Sequence, residues 1–267
     1  MTGYVEALDR ALEEAVTRCT SGLDEFGLLF SGGLDSSLLA KICADLGLEP
    51  LLVLVYMEGS GDEGHIREAA GCFELERVEK VIFDDEIEGY VQLVREAAGT
   101  DNPIDISIGV PLYAGFETAA WSGMSSVMVG QGADELFAGY HRYLKLDGAE
   151  LEEALKRDVE TINIGRDRAL AGSLGLKMLT PYLDEKVVEL GLGIPADWKI
   201  RDGLRKFVLR EVAKKRGLPK SIWARDKKAI QYSTGVDKVV RRVLKKGVVP
   251  EVVSKIIHWS RWGWQGK

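Results

Sequence analysis

Phe26-Gly27-Leu28-Leu29-Phe30 runs directly into Ser31-Gly32-Gly33-Leu34-Asp35-Ser36-Ser37, after which Leu38, Leu39, Ile42 and Leu46 recur at helical spacing. The order predicts strand, glycine turn, helix. Two adjacent glycines let the backbone turn sharply and approach a ligand closely. A helix start presents unpaired N–H groups and the positive end of its dipole, which suits a phosphate. Ser31, Ser36 and Ser37 add hydroxyl donors. Asp35 is an odd residue to aim at a phosphate unless a cation lies between them, and Mg²⁺, bound by carboxylate and phosphate oxygens, meets that need. The bland alternative is a capped helix after a glycine turn.

Working outward, Val5, Leu8, Leu12, Ala15, Val16 and Cys19 predict an amphipathic N-terminal helix. After the glycine turn come a strand over Leu51–Met57, a helix from about Asp62 to Cys72, a strand near Val78–Phe83 and a helix from about Asp85 to Ala98. The turn-rich stretch Gly99–Pro103 precedes a helix around Leu112–Trp121, the strand Ser126–Val129 and the loop Gly130–Glu135. Such alternation predicts an α/β fold, a parallel sheet with helices on both faces. Ligands bind such sheets beyond the carboxyl ends of the strands, where both glycine loops fall. From about Leu151 the pattern turns mainly helical, at 151–171, 184–192, 204–216 and 236–246. We therefore expect an α/β domain over 1–150 and a mainly helical lobe over 151–267 that packs on it and completes the site.

Composition excludes several classes. Of the 267 residues, 46% are hydrophobic and 29% charged, as in a soluble globular protein. The apolar run Leu51–Met57 is far too short to span a membrane. The N-terminus has no secretory pattern, and Cys19, Cys43 and Cys72 suggest no disulfide framework, so a cytoplasmic location is expected. Residues 1–198 carry 15 Lys+Arg against 37 Asp+Glu, whereas 199–246 carry 17 against 4. That basic segment is either a solvated face or a surface turned toward a polyanion, a nucleoside triphosphate or a nucleic acid. Gly59-Ser60-Gly61-Asp62-Glu63-Gly64 formally matches a dinucleotide fingerprint, but its two carboxylates would meet the pyrophosphate, so it reads as a loop and helix start. His65, His141 and His258 show no metal-ligand spacing.

The chain contains no G-x-x-x-x-G-K-[ST]. Its S-G-G-x-D-S string resembles the PP-loop of ATP pyrophosphatases, which implies a loop gripping the β,γ-pyrophosphate while a nucleophile attacks the α-phosphorus. Gly130-Gln131-Gly132-Ala133-Asp134-Glu135-Leu136-Phe137-Ala138-Gly139-Tyr140 is similar to the second signature of asparagine synthetases. The resemblance continues through Leu179–Asp184, Lys206–Arg210 and Arg225-Asp226-Lys227, in order. It implies that Asp35 and Asp134 hold Mg²⁺ against the pyrophosphate of ATP. It further implies that Ser31, Gly32, Gly33, Ser36 and Gly130 line the phosphates, that Leu29 and Val55 border the adenine, and that Lys227 neutralises charge near the reacting phosphorus.

Three departures from that pattern stand out. No glutaminase domain or N-terminal cysteine precedes the glycine loop, so nitrogen is expected from free ammonia, a separate glutaminase subunit or an amine. Gln131 replaces the usual glutamate of the second signature and cannot act as a general base. Val129 replaces the usual serine. The reading that follows is an AMP-forming synthetase that adenylates a small carboxylic acid, aspartate first, for attack by ammonia or an amine. Two other readings compete with it. One is a tRNA-modifying enzyme that adenylates a nucleobase; the other is a nucleotide-binding regulatory subunit with a decayed acceptor site. Trp259, Trp262 and Trp264 are expected to dock the C-terminus onto the body, or onto a second subunit in a homo-oligomer, rather than to stack on nucleic acid.

Overall fold

Leu28 and Phe30 point to one side of a parallel sheet and Leu29 to the other, and both sides are buried. The computed structural model describes residues 3–162, 164–225 and 235–246. Five strands, β1 (Gly27–Phe30), β2 (Leu51–Met57), β3 (Arg77–Ile82), β4 (Ser126–Met128) and β5 (Lys177–Leu179), stand in the order β3-β2-β1-β4-β5, and every junction is parallel. The apolar runs of β1 and β2 follow from this arrangement, because a strand covered on both faces has no position for a polar residue.

The helices are α1 (Gly3–Thr20), α2 (Leu34–Asp45), α3 (Glu63–Ala70), α4 (Ile87–Ala98), α5 (Pro103–Trp121), α6 (Ala133–Leu136), α7 (Gly148–Glu160) and α8 (Ile164–Ser173). There follow α9 (Glu185–Gly193), α10 (Ala196–Lys199), α11 (Phe207–Lys215), α12 (Lys220–Trp223) and a helix over Val236–Lys246. Leu28, Phe30, Leu52, Leu54 and Tyr56 pack with residues of α1, α2 and α11, whereas Leu29, Val53, Val55 and Met57 pack with α4, α5 and the helix Val236–Lys246. This is the expected sheet between two helical layers. Among the described residues no helix is long and apolar enough to cross a membrane.

The differences from expectation have physical causes. Helix α5 begins nine residues before the predicted Leu112. Asn102 accepts from the Ile104 N–H as its cap, and Pro103 takes the first helical position, where its missing N–H costs nothing. Gly109 and Pro111 discourage a helix in the sequence, but a Cβ at Gly109 would lie 2.6 Å from Val94 Cγ1. The glycine is what lets α5 sit tightly on α4. The predicted helix 151–171 is two helices, α7 and α8. The predicted helix 204–216 starts instead with a hairpin, in which Ile200–Arg201 pairs with Leu204–Arg205 across Asp202-Gly203. Both turn residues have positive φ, 51° and 74°, the Asp-Gly turn that matches strand twist. The sheet also draws its fifth strand from residues 177–179.

Candidate active site

The first loop leaves the central strand at Phe30. Gly32 has φ +67°, and a Cβ there would meet the Ile66 backbone at 3.1 Å, so this turn both needs glycine and seats the loop against α3. His65 Nε2 lies 2.9 Å from the Gly32 carbonyl. The Ser31 N–H donates to Ser36 Oγ at 3.2 Å, and the Gly33 N–H donates to Ser31 Oγ at 3.4 Å. The Ser36 hydroxyl donates to the Gly33 carbonyl at 3.3 Å. Helix α2 therefore opens from a loop braced by its own serines, with no side chain capping its N-terminus. Its first N–H groups remain for an anion.

The second loop follows β4, the neighbour of β1. A Cβ on Gly130 would lie 3.3 Å from Asp35 Cβ, so the two loops are in direct contact. Gly132, at φ +94°, lets the chain pass over Leu183, which a Cβ would overlap at 2.4 Å. This turn aims Asp134, on the short helix α6, back toward α2. The segment Pro181–Leu183 closes the floor, where the Tyr182 hydroxyl donates to the Asp35 carbonyl oxygen at 3.1 Å. Burial pushes the Tyr182 phenol well above its ordinary range, so it stays a neutral donor.

Asp35 and Asp134 converge on one cationic group. Lys206 Nζ stands 2.6 Å from both oxygens of Asp35 and 2.8 Å from Asp134 Oδ1. Lys206 is 2% exposed and takes φ +56°, an unusual backbone for a residue with a Cβ. The hairpin before it supplies that backbone, and Arg205 reinforces it by donating to the Gly139 carbonyl at 2.7 Å. Burial draws the Lys206 ammonium below its ordinary pKa, and Asp35 opposes that pull. A Cβ on Gly139 would come within 1.7 Å of Asp134 Oδ1 and 2.3 Å of Lys206 Cε, so this glycine leaves the room in which the ion pair forms.

Asp35 and Asp134 are hard oxygen donors of the kind magnesium takes alongside phosphate oxygens, but Lys206 Nζ stands on the point where they converge, so the ion fits beside that ammonium, toward the start of α2, rather than in its place. Among the described residues no cluster of three or more His, Cys, Asp or Glu side chains that could hold a metal ion gathers. Asp35 and Asp134, expected to act together, are brought together. Lys206 between them was legible only as part of a motif, without a role.

Leu29 and Val55 lie together on the opposite face of the sheet, nearly buried under α5. A Cβ at Gly115 would come 2.7 Å from Leu29 Cδ2 and 3.0 Å from Val55 Cγ2. Gln131 Nε2 donates to Asp167 Oδ2 at 2.9 Å. Lys227 lies outside the described residues, as does the tryptophan-rich end. The chain on either side of 226–234 reaches the loop after β2, where Arg225 pairs with Asp62 and Gly235 faces Met57 and Ser60. Asp62 thus starts α3 as expected, with its carboxylate committed to Arg225 rather than to a helix cap. Arg210, also buried, donates to the carbonyls of Arg205, Trp223 and Arg225 and so ties the hairpin to this segment.

The family model described as Asparagine synthase matches residues 7–171 and 148–255. A putative glutamine-hydrolysing asparagine synthetase of Methanocaldococcus jannaschii is 34% identical over an alignment of 280 residues, covering 90% of this chain and 51% of that protein. A glutamine-hydrolysing asparagine synthetase of Gallus gallus is 32% identical over 244 residues, covering 85% of this chain and 42% of that protein. The chain thus spans about half the length of the curated relatives it matches. Among solved structures, an NMN synthetase from Francisella tularensis aligns over 97% of this chain and 92% of its own, at a TM-score of 0.48 and 13% identity.

Proposed function

The chain belongs to the asparagine synthase family, and from that premise we propose that it is an ATP-dependent synthetase that releases AMP and pyrophosphate. It adenylates a carboxylic acid, L-aspartate being the first candidate, and passes the acyl group to ammonia or an amine. In the first step a carboxylate oxygen attacks the α-phosphorus, the α–β bridging P–O bond breaks, and pyrophosphate leaves. In the second the amine nitrogen attacks the acyl carbon, AMP leaves with the bonding pair, and the nitrogen sheds one proton. The nitrogen is ammonia, free or delivered by a glutaminase, or an amine, and the proposed location is the cytoplasm.

The observation that carries this reading is the convergence of Asp35 and Asp134, from loops after two adjacent strands, on one cation position beside the uncapped start of α2. Ser31, Gly32, Gly33, Ser36 and Gly130 frame the pyrophosphate through backbone N–H groups and hydroxyls. Asp35 and Asp134 would hold Mg²⁺, which, when bound, offsets the charge of the leaving pyrophosphate. Lys206 keeps the two carboxylates in register, so they need little reorganisation as charge develops. Leu29 and Val55 border the adenine, and Lys227 adds positive charge near the α-phosphorus.

Product analysis with ATP, Mg²⁺, L-aspartate and ammonium tests the proposal. Equal amounts of AMP, pyrophosphate and asparagine are expected. AMP and pyrophosphate at background levels would remove aspartate as the acid and call for a screen of other carboxylic acids and of tRNA.

A further inference from the structure

One peptide joins Gly32 to Gly33, and its orientation decides what the middle of the first loop offers an anion. A trans peptide is planar, so the Gly32 carbonyl and the Gly33 N–H point in opposite directions from it. Glycine on both sides removes the steric penalty on turning that plane over. In one sense the plane gives a phosphate an N–H; in the other it gives a carbonyl oxygen, which repels it. The bond of the Gly33 N–H to Ser31 Oγ, at 3.4 Å, is long and holds the plane only weakly.

A side chain from another element holds it. His65 Nε2 lies 2.9 Å from the Gly32 carbonyl oxygen. A carbonyl has no hydrogen to give, so Nε2 carries one and donates it, in the neutral ring of that tautomer as in the imidazolium. His65 is half-buried on α3, a helix fixed on both flanks. Ile66, Ala69 and Ala70 are buried in one core with Phe30 and Leu34, the residues at the two ends of the loop. On the outer side Arg67 pairs with Glu79 of β3 at 2.8 Å. The glycine turn also rests on this helix, since a Cβ at Gly32 would lie 3.3 Å from His65 Cδ2.

With the carbonyl drawn to α3, the Gly33 N–H faces the other way, toward Ser31 Oγ. That hydroxyl stands 3.2 Å from Ser36 Oγ, in the first turn of α2. The N–H is thereby turned to the side where the serines and the uncapped helix start lie. The serines brace the loop from within, and His65 settles which way its central peptide looks.

We propose that His65 is a positioning residue of the phosphate-binding loop: its Nε2–H holds the Gly32 carbonyl against α3 and so keeps the Gly33 N–H turned to the bound phosphate. This rests on the part of the reading above in which the loop takes the pyrophosphate of ATP. The role needs a donor at the Nε2 position and no charge.

The test uses the full chain, with Mg²⁺-pyrophosphate and Mg²⁺-ATP as probes in titration calorimetry and thermal melts to show that each variant is folded. His65→Gln puts an amide N–H close to where Nε2 stands. His65→Asn carries the same amide on a shorter stem that ends near Nδ1, and His65→Ala has no donor at all. The Asn and Ala variants should each bind pyrophosphate about tenfold more weakly, the worth of one hydrogen bond, and the Gln variant should recover most of that loss. Parental affinity in the Asn and Ala variants, or a Gln variant as weak as they are, would overturn the proposal. Binding of pyrophosphate needs neither acid nor amine. A parent that binds it yet forms no AMP with any acid sinks the synthetase reading and leaves the clamp to be judged by these affinities. A parent that binds neither probe overturns both.

Discussion

Lys206 Nζ lies 2.6 Å from each carboxylate oxygen of Asp35, a residue 171 positions earlier in the chain. One residue begins the helix after the glycine loop; the other ends a hairpin in the C-terminal half. Their contact, shared with Asp134, is where the two halves of the candidate site are fixed to each other. It also sets the charge of the site, because one buried ammonium stands against two carboxylates.

Removing that ammonium exposes the imbalance. Lys206→Met leaves Asp35 and Asp134 facing each other in a buried setting, and loss of one partner of a buried pair costs about 3–5 kcal/mol. We expect a large fall in Tm by calorimetry. Added Mg²⁺ should raise the Tm of the variant more than that of the parent, because the metal takes over the counter-charge. Equal responses to Mg²⁺ would contradict a cation site between these carboxylates.

Asp35→Asn and Asp134→Asn keep the shape of each side chain and remove its charge. If both carboxylates hold the metal, Mg²⁺-dependent ATP cleavage should fall on the order of a hundredfold in either variant. A variant that cleaves ATP at the parental rate would free that residue from the metal assignment.

Gly139→Ala tests the space around the ion pair without touching its members. The added methyl would overlap Asp134 Oδ1 and Lys206 Cε. Overpacking of this kind costs about 1–3 kcal/mol, and AMP formation should fall with the displacement of Asp134. Gly148→Ala, where a Cβ meets nothing within 4 Å, is the control and should leave both readouts near the parental values.

Lys199, at the end of α10, is fully buried, and its Nζ finds no hydrogen-bond partner among the described residues. Burial lowers its pKa from 10.5 to about 8. Between those values the unfolded chain keeps the proton that the folded one has released. Unfolding free energy therefore rises with pH across that window, by about 3 kcal/mol in total. Lys199→Met should flatten the rise and stabilise the protein by up to about 3 kcal/mol at pH 7, as urea melts at pH 7 and pH 10 would show.

The strand–turn–helix unit at 26–46 was legible because hydrophobic period, paired glycines and serines all point the same way there. Asp134 was legible because its string is specific. Lys206 was visible only inside a motif: its place between the carboxylates depends on a left-handed backbone set by the hairpin before it, and an Asp-Gly turn between two-residue strands is too short to register as a period. Asp167 escaped for a related reason. On α8 it reads as an ordinary charged helical residue, and only the approach of the second loop turns it inward. The short strand β5, of three residues, carried too few alternations to separate it from the helices around it.

The strand order has a consequence for how such a protein changes over time. With β1 central, Leu29, the first glycine loop and Val55 belong to β1 and β2, while Gly130, Asp134 and the Tyr182 floor come from the opposite wing, after β4 and β5. The proposed nucleotide site is therefore closed from both halves of one sheet, and its two carboxylates arrive after adjacent strands, Asp35 after β1 and Asp134 after β4. On the proposed function, a lineage that keeps Gly130 and Asp134 can revise other positions within residues 131–183 and still inherit the means of splitting ATP.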